Sequence, residues 1–365
     1  MTVCLSTNGM SVYELARAPV KLLVSTTHGV RVLERDGAGA PWRITGHVLD
    51  GKHVSAMMIV PGGGIFAAVH HGGLFHSADD GVTWEQRTDG LTIAHVYSLG
   101  YRVRPEGTVL YAGTEPVSLF RSFDNGLNWE ELPAIGKVPG HEKWTFPPPP
   151  HFAHTKNFMF DPRDPDIFYA TVEQGALLKT ADGGVTWREL GSFYRSDDAW
   201  YKDVHRVAAH PSNPDELYMA TGIGLYRSDD AGENWTRLTD PGFRIGYPDQ
   251  ILFPPGPDDV MLMSGSESDP TVWHTSHHAH GTVMRSRDRG ASWEDASSGI
   301  VGDGRANIEA LNMAVYPGGV SLFAGNTDGE VYASDDRAGN WNLIAQGLKP
   351  ISKGRHFRNL QPMTG

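Results

Sequence analysis

Cysteine is almost missing: Cys4 stands alone in 365 residues. A single thiol excludes an internal disulfide and fits a reducing compartment. No run of 18 consecutive apolar residues exists, so no helix is expected to cross a membrane. The opening stretch, Met1-Thr-Val-Cys-Leu-Ser-Thr-Asn-Gly9, lacks the basic segment and apolar run of a secretory leader. From these absences a cytoplasmic location is expected. Basic charge is also scarce, with 31 Lys and Arg against 43 Asp and Glu and a formal net charge of −12. Phosphate-rich partners want a basic face, so nucleic acid and anionic membranes are not expected. A small-molecule substrate is the partner that remains.

What the chain has is one short phrase, repeated. Its clearest copy is Ser77-Ala-Asp79-Asp-Gly81-Val-Thr83-Trp84, and the grammar Ser/Thr-x-Asp-x-Gly-x-(Thr/Ser/Asn)-Trp returns at 122–129, 180–187, 228–235 and 286–293. A sixth copy, 334–341, keeps Asp336 and Asn340 but has Ala338 in place of Gly. A seventh, Asp36 to Trp42, is degenerate. Trp-to-Trp spacings of 42, 45, 58, 48, 58 and 48 residues indicate an array of similar supersecondary units. The phrase suits a tight turn: hydroxyl and carboxylate bond the turn backbone, and Gly allows positive φ.

Each unit reads as four short strands. In 204–238, Val204 to Pro211 is an inner strand, Glu216 to Thr221 a second and Gly224 to Ser228 a third. The repeated phrase then turns into a fourth strand at Trp235. The same template fits about 11–45, 53–88, 95–133, 154–191, 247–297 and 309–345, with a closing Pro at 19, 61, 105, 162, 211, 254 and 317. The expected fold is all-β: one domain, residues 1–365, forming a seven-bladed β-propeller of four-stranded antiparallel blades. The tail 350–365, with Lys353, Arg355, His356 and Arg358, has no place in the repeat, and how the ring closes is left open.

The repeated phrase resembles the Asp box of the sialidase-type, or BNR-repeat, β-propellers, over nearly the whole chain. The resemblance implies that the boxes are structural and lie away from the ligand face. It does not extend to sialidase activity. True sialidases place a Phe/Tyr-Arg-Ile-Pro motif before the first box, as part of an arginine triad. The near-match here, Phe243-Arg244-Ile245-Gly246, sits mid-chain and lacks Pro. Xyloglucanase-type relatives use two such propellers with the cleft between them, and this chain holds one. Photosystem-assembly relatives are non-enzymatic and use a basic patch that a −12 chain does not advertise.

Two insertions, 133–155 and 264–283, fall in connections that open at the channel mouth, where propellers place ligands. Strand register puts His70, Glu115, Glu173 and Thr221 in one mouth row and His53, Tyr97, His154, Asp203 and Glu309 in a second. A third row holds Asn157, Arg206, Asp249 and Asn312, with His205 adjoining Arg206. The 17 His crowd into these positions.

Imidazoles converging with a carboxylate suit Zn, Mn, Fe or Cu. The candidate ligands of such a divalent metal are His28, His71, His154, His205, His274, His277, His278 and His280. No HExxH or CxxC accompanies them, and the competing reading is solvated or channel-lining histidine. Glu115 and Glu173 form a candidate carboxylate pair for acid–base or glycoside chemistry, with His205 and Arg206 completing the catalytic set. Lys202, Trp200, Tyr201, Asn157, Asp249 and Trp273 are candidate substrate contacts; their competing roles are ion pairs and loop anchors. The leading expectation is a metal-assisted hydrolase or lyase on a small polar, carbohydrate-derived substrate. The alternatives are a non-catalytic assembly propeller and a metal-free glycoside hydrolase.

Overall fold

The computed structural model describes residues 1–365 except 148, 149, 257, 355 and 361–365. Pro148 and Pro149 of the first insertion, and Arg355 and residues 361–365 of the tail, therefore lie outside the described residues. Seven sheets form the propeller. The inner strands of blades two to seven are Val54–Val60, Val96–Arg104, Thr155–Phe160, Val204–His210, Tyr247–Leu252 and Ile308–Tyr316. In each, the next three strands follow in sequence order. Inner strands pack against neighbouring blades on both faces, so they read as nearly unbroken apolar runs, such as Val54-Ser-Ala-Met-Met-Ile-Val60. Outer strands such as Glu85–Gln86 are short and exposed. Among the described residues no helix is long and apolar enough to cross a membrane.

The repeated phrase makes the same hydrogen bonds in each clean copy. The Ser77 hydroxyl donates to Asp79 Oδ1 at 2.8 Å and accepts from the Gly81 amide at 2.8 Å. Asp79 then accepts from the Thr83 amide and hydroxyl at 2.8 and 2.6 Å. Ser286, Asp288, Gly290 and Ser292 repeat the pattern. Two consecutive residues turn left-handed here, as at Asp80 (φ 60°) and Gly81 (φ 84°). The sixth copy keeps this shape without glycine, Ala338 standing at φ 63°.

The ring closes through the N-terminal residues. Strand β1 (Thr2–Leu5) is the inner strand of blade one and runs parallel to β3 (Lys21–Thr26). Strand β2 (Val12–Glu14) runs parallel to the inner strand of blade seven, pairing Tyr13 with Ala314. The first blade thus begins at residue 2 with a parallel strand, where the repeat suggests 11–45. Burial explains the difference: Thr2-Val-Cys-Leu5 is wholly buried, whereas Val12 and Glu14 are exposed around a buried Tyr13.

Between β1 and β2 the chain fills the channel. Asn8 and Met10 amides donate to the Ser55 and Met57 carbonyls of blade two. From across the channel, Arg206 and Gln250 donate to the Thr7 carbonyl at 3.1 and 2.9 Å. The C-terminal segment closes the mouth, with Ile351, Ser352 and Lys353 buried.

Candidate functional site

The connection entering each inner strand and the turn between second and third strands share one end of the ring, opposite the Asp-containing turns. At that end a bank of ionisable side chains runs around the filled channel. His95 Nδ1 lies 3.2 Å from Glu115 Oε1, and Glu115 Oε2 lies 3.2 Å from His154 Nδ1. His154 Nε2 meets Glu173 Oε2 at 2.6 Å, and Lys156 donates to Glu173 Oε1. Tyr97 stacks on the His154 ring at 3.7 Å, and His53 stacks on His70 at 4.1 Å.

The charges follow from these contacts. Burial disfavours a charged His154, but its bonds to Glu115 and Glu173 outweigh that and raise its pKa. Burial alone would raise Glu115, yet His154 and His95 hold it down to about 2. Glu173 is likewise held well below the usual carboxylate range, against its burial, by the Lys156 charge and His154. His70 goes the other way: burial, then the neighbouring histidines, keeps its ring neutral.

The tail brings in a cation. Lys353, 1% exposed, pairs with Asp249, which also accepts from Asn307 Nδ2 at 2.9 Å. Glu309 accepts from the Lys353 amide at 2.8 Å and the Ser352 hydroxyl at 3.0 Å, leaving Oε1 without a hydrogen bond. Burial first, and Asp249 beside it, raise Glu309 to about 7 against the opposing pull of Lys353.

The structure gathers some expected residues and scatters others. Glu115 and Glu173 do come together, but on opposite nitrogens of His154, with an imidazole where a sugar would have to enter. Both His154 nitrogens face carboxylates, so it is an imidazolium bridge and not a metal ligand. His28 and His71 are exposed, on blades one and two; the His71 ring lies tilted against that of His95, with centroids 4.0 Å apart. His274, His277, His278 and His280 stand apart on and after the helix α1 (Pro270–Ser276). His277 Nδ1 contacts the Asn359 carbonyl, and the His278 and His280 rings stack at 5.6 Å. Trp273 is fully buried against Ala279 and Leu360, an anchor for α1 rather than a sugar platform.

Arg206 and Asn157 are buried, and Arg206 braces the N-terminal backbone instead of a ligand. Burial lowers its pKa to about 10. Asp249 is occupied by Lys353. Lys156 and His95 were not legible as site residues, and Lys353 belongs to a segment outside the repeat. Asp203 and Glu309 stand in the expected mouth register.

One pocket opens beside this bank, between blades four and five. Phe193, Asp198, Trp200, Lys202, Asp203, Thr221, Gly222 and Ile223 line it. Lys202 is ion-paired with Glu189 and lies over the Tyr194 and Tyr201 rings. The Gly222 amide donates to the Asp203 carbonyl at 2.8 Å, tying the pocket floor together. Two carboxylates, an aromatic face and an ammonium thus line one concave place, but its free volume is only about 10 Å³, room for about one water, so a ring-shaped ligand enters only if the 193–203 loop moves aside.

No family profile matches the chain. It is 27% identical over 158 residues to a xyloglucanase from Paenibacillus sp, covering 38% of this chain and 14% of that protein. With xyloglucanase Xgh74A from Acetivibrio thermocellus the identity is 23% over 150 residues, covering 38% and 17%. The chain spans less than a fifth of the length of these two relatives. Among solved structures, an ancestral GH74 enzyme aligns with a TM-score of 0.61 at 16% identity, over 80% of this chain and 38% of that one. YCF48 bound to D1 peptide aligns at 0.56 and 16% identity, over 87% and 91%. These likenesses define a seven-bladed β-propeller with xyloglucanases among its relatives.

Proposed function

We propose that the protein is a glycoside hydrolase acting on xyloglucan-type oligosaccharides at the pocket between blades four and five. The observation that carries this reading is the meeting of Asp198, Trp200, Lys202 and Asp203 in one pocket. The resemblance to xyloglucanases supplies the substrate class. It favours hydrolysis without a metal over the metal-assisted hydrolase or lyase that the histidines suggest.

Once the 193–203 loop is displaced to admit a sugar, which the cavity of about 10 Å³ requires, Trp200 serves as the platform for its ring and Lys202 orients its hydroxyls. Asp198 and Asp203 divide the acid and base work. One gives its proton to the glycosidic oxygen as the bond from C1 breaks. The other brings water to C1 and takes the water's proton. The Asp203 carboxylate has two faces, and Oδ2 is the one turned toward Gly222 and the pocket. The buried bank behind supplies fixed charge and touches no sugar.

Incubation with xyloglucan oligosaccharides, followed by chromatography of the products, tests this. Release of shorter sugars by the wild type, abolished in Asp203→Asn, is expected. Equal release by both proteins contradicts the assignment.

A further inference from the structure

We propose that Glu173, Asp203 and His205 form a binding site for a divalent first-row transition ion, Mn2+ or Zn2+, directly behind the pocket. The inference goes beyond the glycoside reading and does not rest on it.

His205 Nδ1 lies 2.6 Å from the Pro248 carbonyl oxygen, which can only accept, so Nδ1 carries the proton. The neutral ring then presents a lone pair at Nε2, the arrangement a metal-bound histidine adopts when its other nitrogen donates to a backbone carbonyl. That lone pair faces Asp203 Oδ1 at 3.3 Å and Glu173 Oε1 at 3.7 Å. The three ligand atoms lie within 4.8 Å of one another, and the residues are 1–5% exposed. Neither His205 Nε2 nor Asp203 Oδ1 makes a hydrogen bond. Glu173 Oε1 already holds the Lys156 ammonium, but His205 Nε2 and Asp203 Oδ1 face each other as two electron-pair donors with no partner between them.

Two species fit the charge. A proton on Nε2 would make charge-assisted bonds of about 2.7–2.9 Å, and both separations are longer. Ligands about 2.1 Å from a shared ion sit about 3.0–3.4 Å apart, which matches the nearer separation and needs only a small inward shift of Glu173. One imidazole with two carboxylates suits Mn2+ and Zn2+. Asp203 also floors the pocket, which gives an ion its way in. His154 fixes the far oxygen of Glu173, and the Lys156 ammonium on the near oxygen is the built-in competitor.

The test is calorimetric titration of the EDTA-treated, untagged 365-residue chain with MnCl2 and with ZnCl2. The wild type is expected to take up one equivalent. His205→Gln and Asp203→Asn each weaken uptake by more than about 10–100-fold, the loss expected for a residue that only supports a ligand, and Lys156→Met tightens it. Where His205→Gln does not fold, Asp203→Asn and pulsed electron paramagnetic resonance of the Mn2+-loaded wild type carry the test. One coupled imidazole nitrogen is expected. No uptake at millimolar ion, undiminished uptake by both ligand variants, or a Mn2+ spectrum without nitrogen coupling overturns the proposal.

Discussion

The Lys353 ammonium is ion-paired with the Asp249 carboxylate, 104 residues earlier in the chain, and both side chains are almost wholly buried. This contact pins the C-terminal segment across the propeller's mouth. Removing one partner of a buried pair leaves an uncompensated charge, at a cost of about 3–5 kcal/mol. Lys353→Met is therefore expected to destabilise the protein by that amount in urea denaturation. Lys353→Met with Asp249→Asn should recover part of the loss, and a single variant as stable as wild type would refute the pinning role.

The pH dependence follows from Glu309. Its folded pKa lies near 7, against an ordinary value of 4.5. The folded protein therefore keeps a proton that the unfolded chain releases. Stability falls as pH rises from 4.5 to 7, by up to ~1.4 kcal/mol per pH unit. Glu309→Gln removes that loss, so its melting temperature should gain on the wild type between pH 5 and 8. A constant difference across that range would show that Glu309 does not hold its proton.

Glu115 and His154 act at opposite edges of the pH range. The depressed Glu115 contributes stability above pH 4.5 that is lost as pH falls toward 2. The raised His154 contributes stability that is full below its unfolded value of about 6.5 and lost as pH rises through its folded one. Glu115→Gln should flatten the acid limb of the melting curve, as read by scanning calorimetry from pH 3 to 6.

Gly222 sits where a side chain cannot. A Cβ there would fall 2.2 Å from Asp203 Oδ2 and 2.9 Å from its Cγ. Gly222→Ala is expected to push the carboxylate off its position, cutting turnover by about 100-fold, the scale of a 1 Å misplacement. The fold should lose only about 1–3 kcal/mol. Full activity in this variant would remove Asp203 from the reaction.

The repeated tryptophans are not equal. Trp341 is 1% exposed and donates to the Ala296 carbonyl of the preceding blade at 2.8 Å. Trp187 is half-buried, edge-on to Phe168 at 5.2 Å. Trp341→Ala should cost about 3–5 kcal/mol, and Trp187→Ala distinctly less, in paired denaturation curves.

The blades were legible because each carries its own turn signal. Ser77, Asp79 and Gly81 write a local set of hydrogen bonds that needs no distant partner. Counting strand positions from that signal placed Glu115, His154 and Glu173 at one end of the ring, where they meet. The same counting could not show that an imidazole separates the two glutamates. It also missed what fills the centre. Thr7 and Lys353 sit in segments without a repeat, and their partners, Arg206 and Asp249, lie 199 and 104 residues away in sequence. Histidine density misled at 274–280, where the His277 and His278 rings bond the Asn359 and Ser276 carbonyls and do not converge. Composition records how many imidazoles a loop holds, not which way they turn.

The central claim is that the pocket floored by Asp203 cleaves glycosidic bonds. Its most direct test is steady-state hydrolysis of a xyloglucan oligosaccharide by wild type, Asp203→Asn and Asp198→Asn, each first shown to melt as wild type does. The account predicts wild-type turnover and a loss of at least about 100-fold in kcat for each variant. Wild-type protein that leaves the oligosaccharide intact, or variants that cleave it as fast, would contradict it.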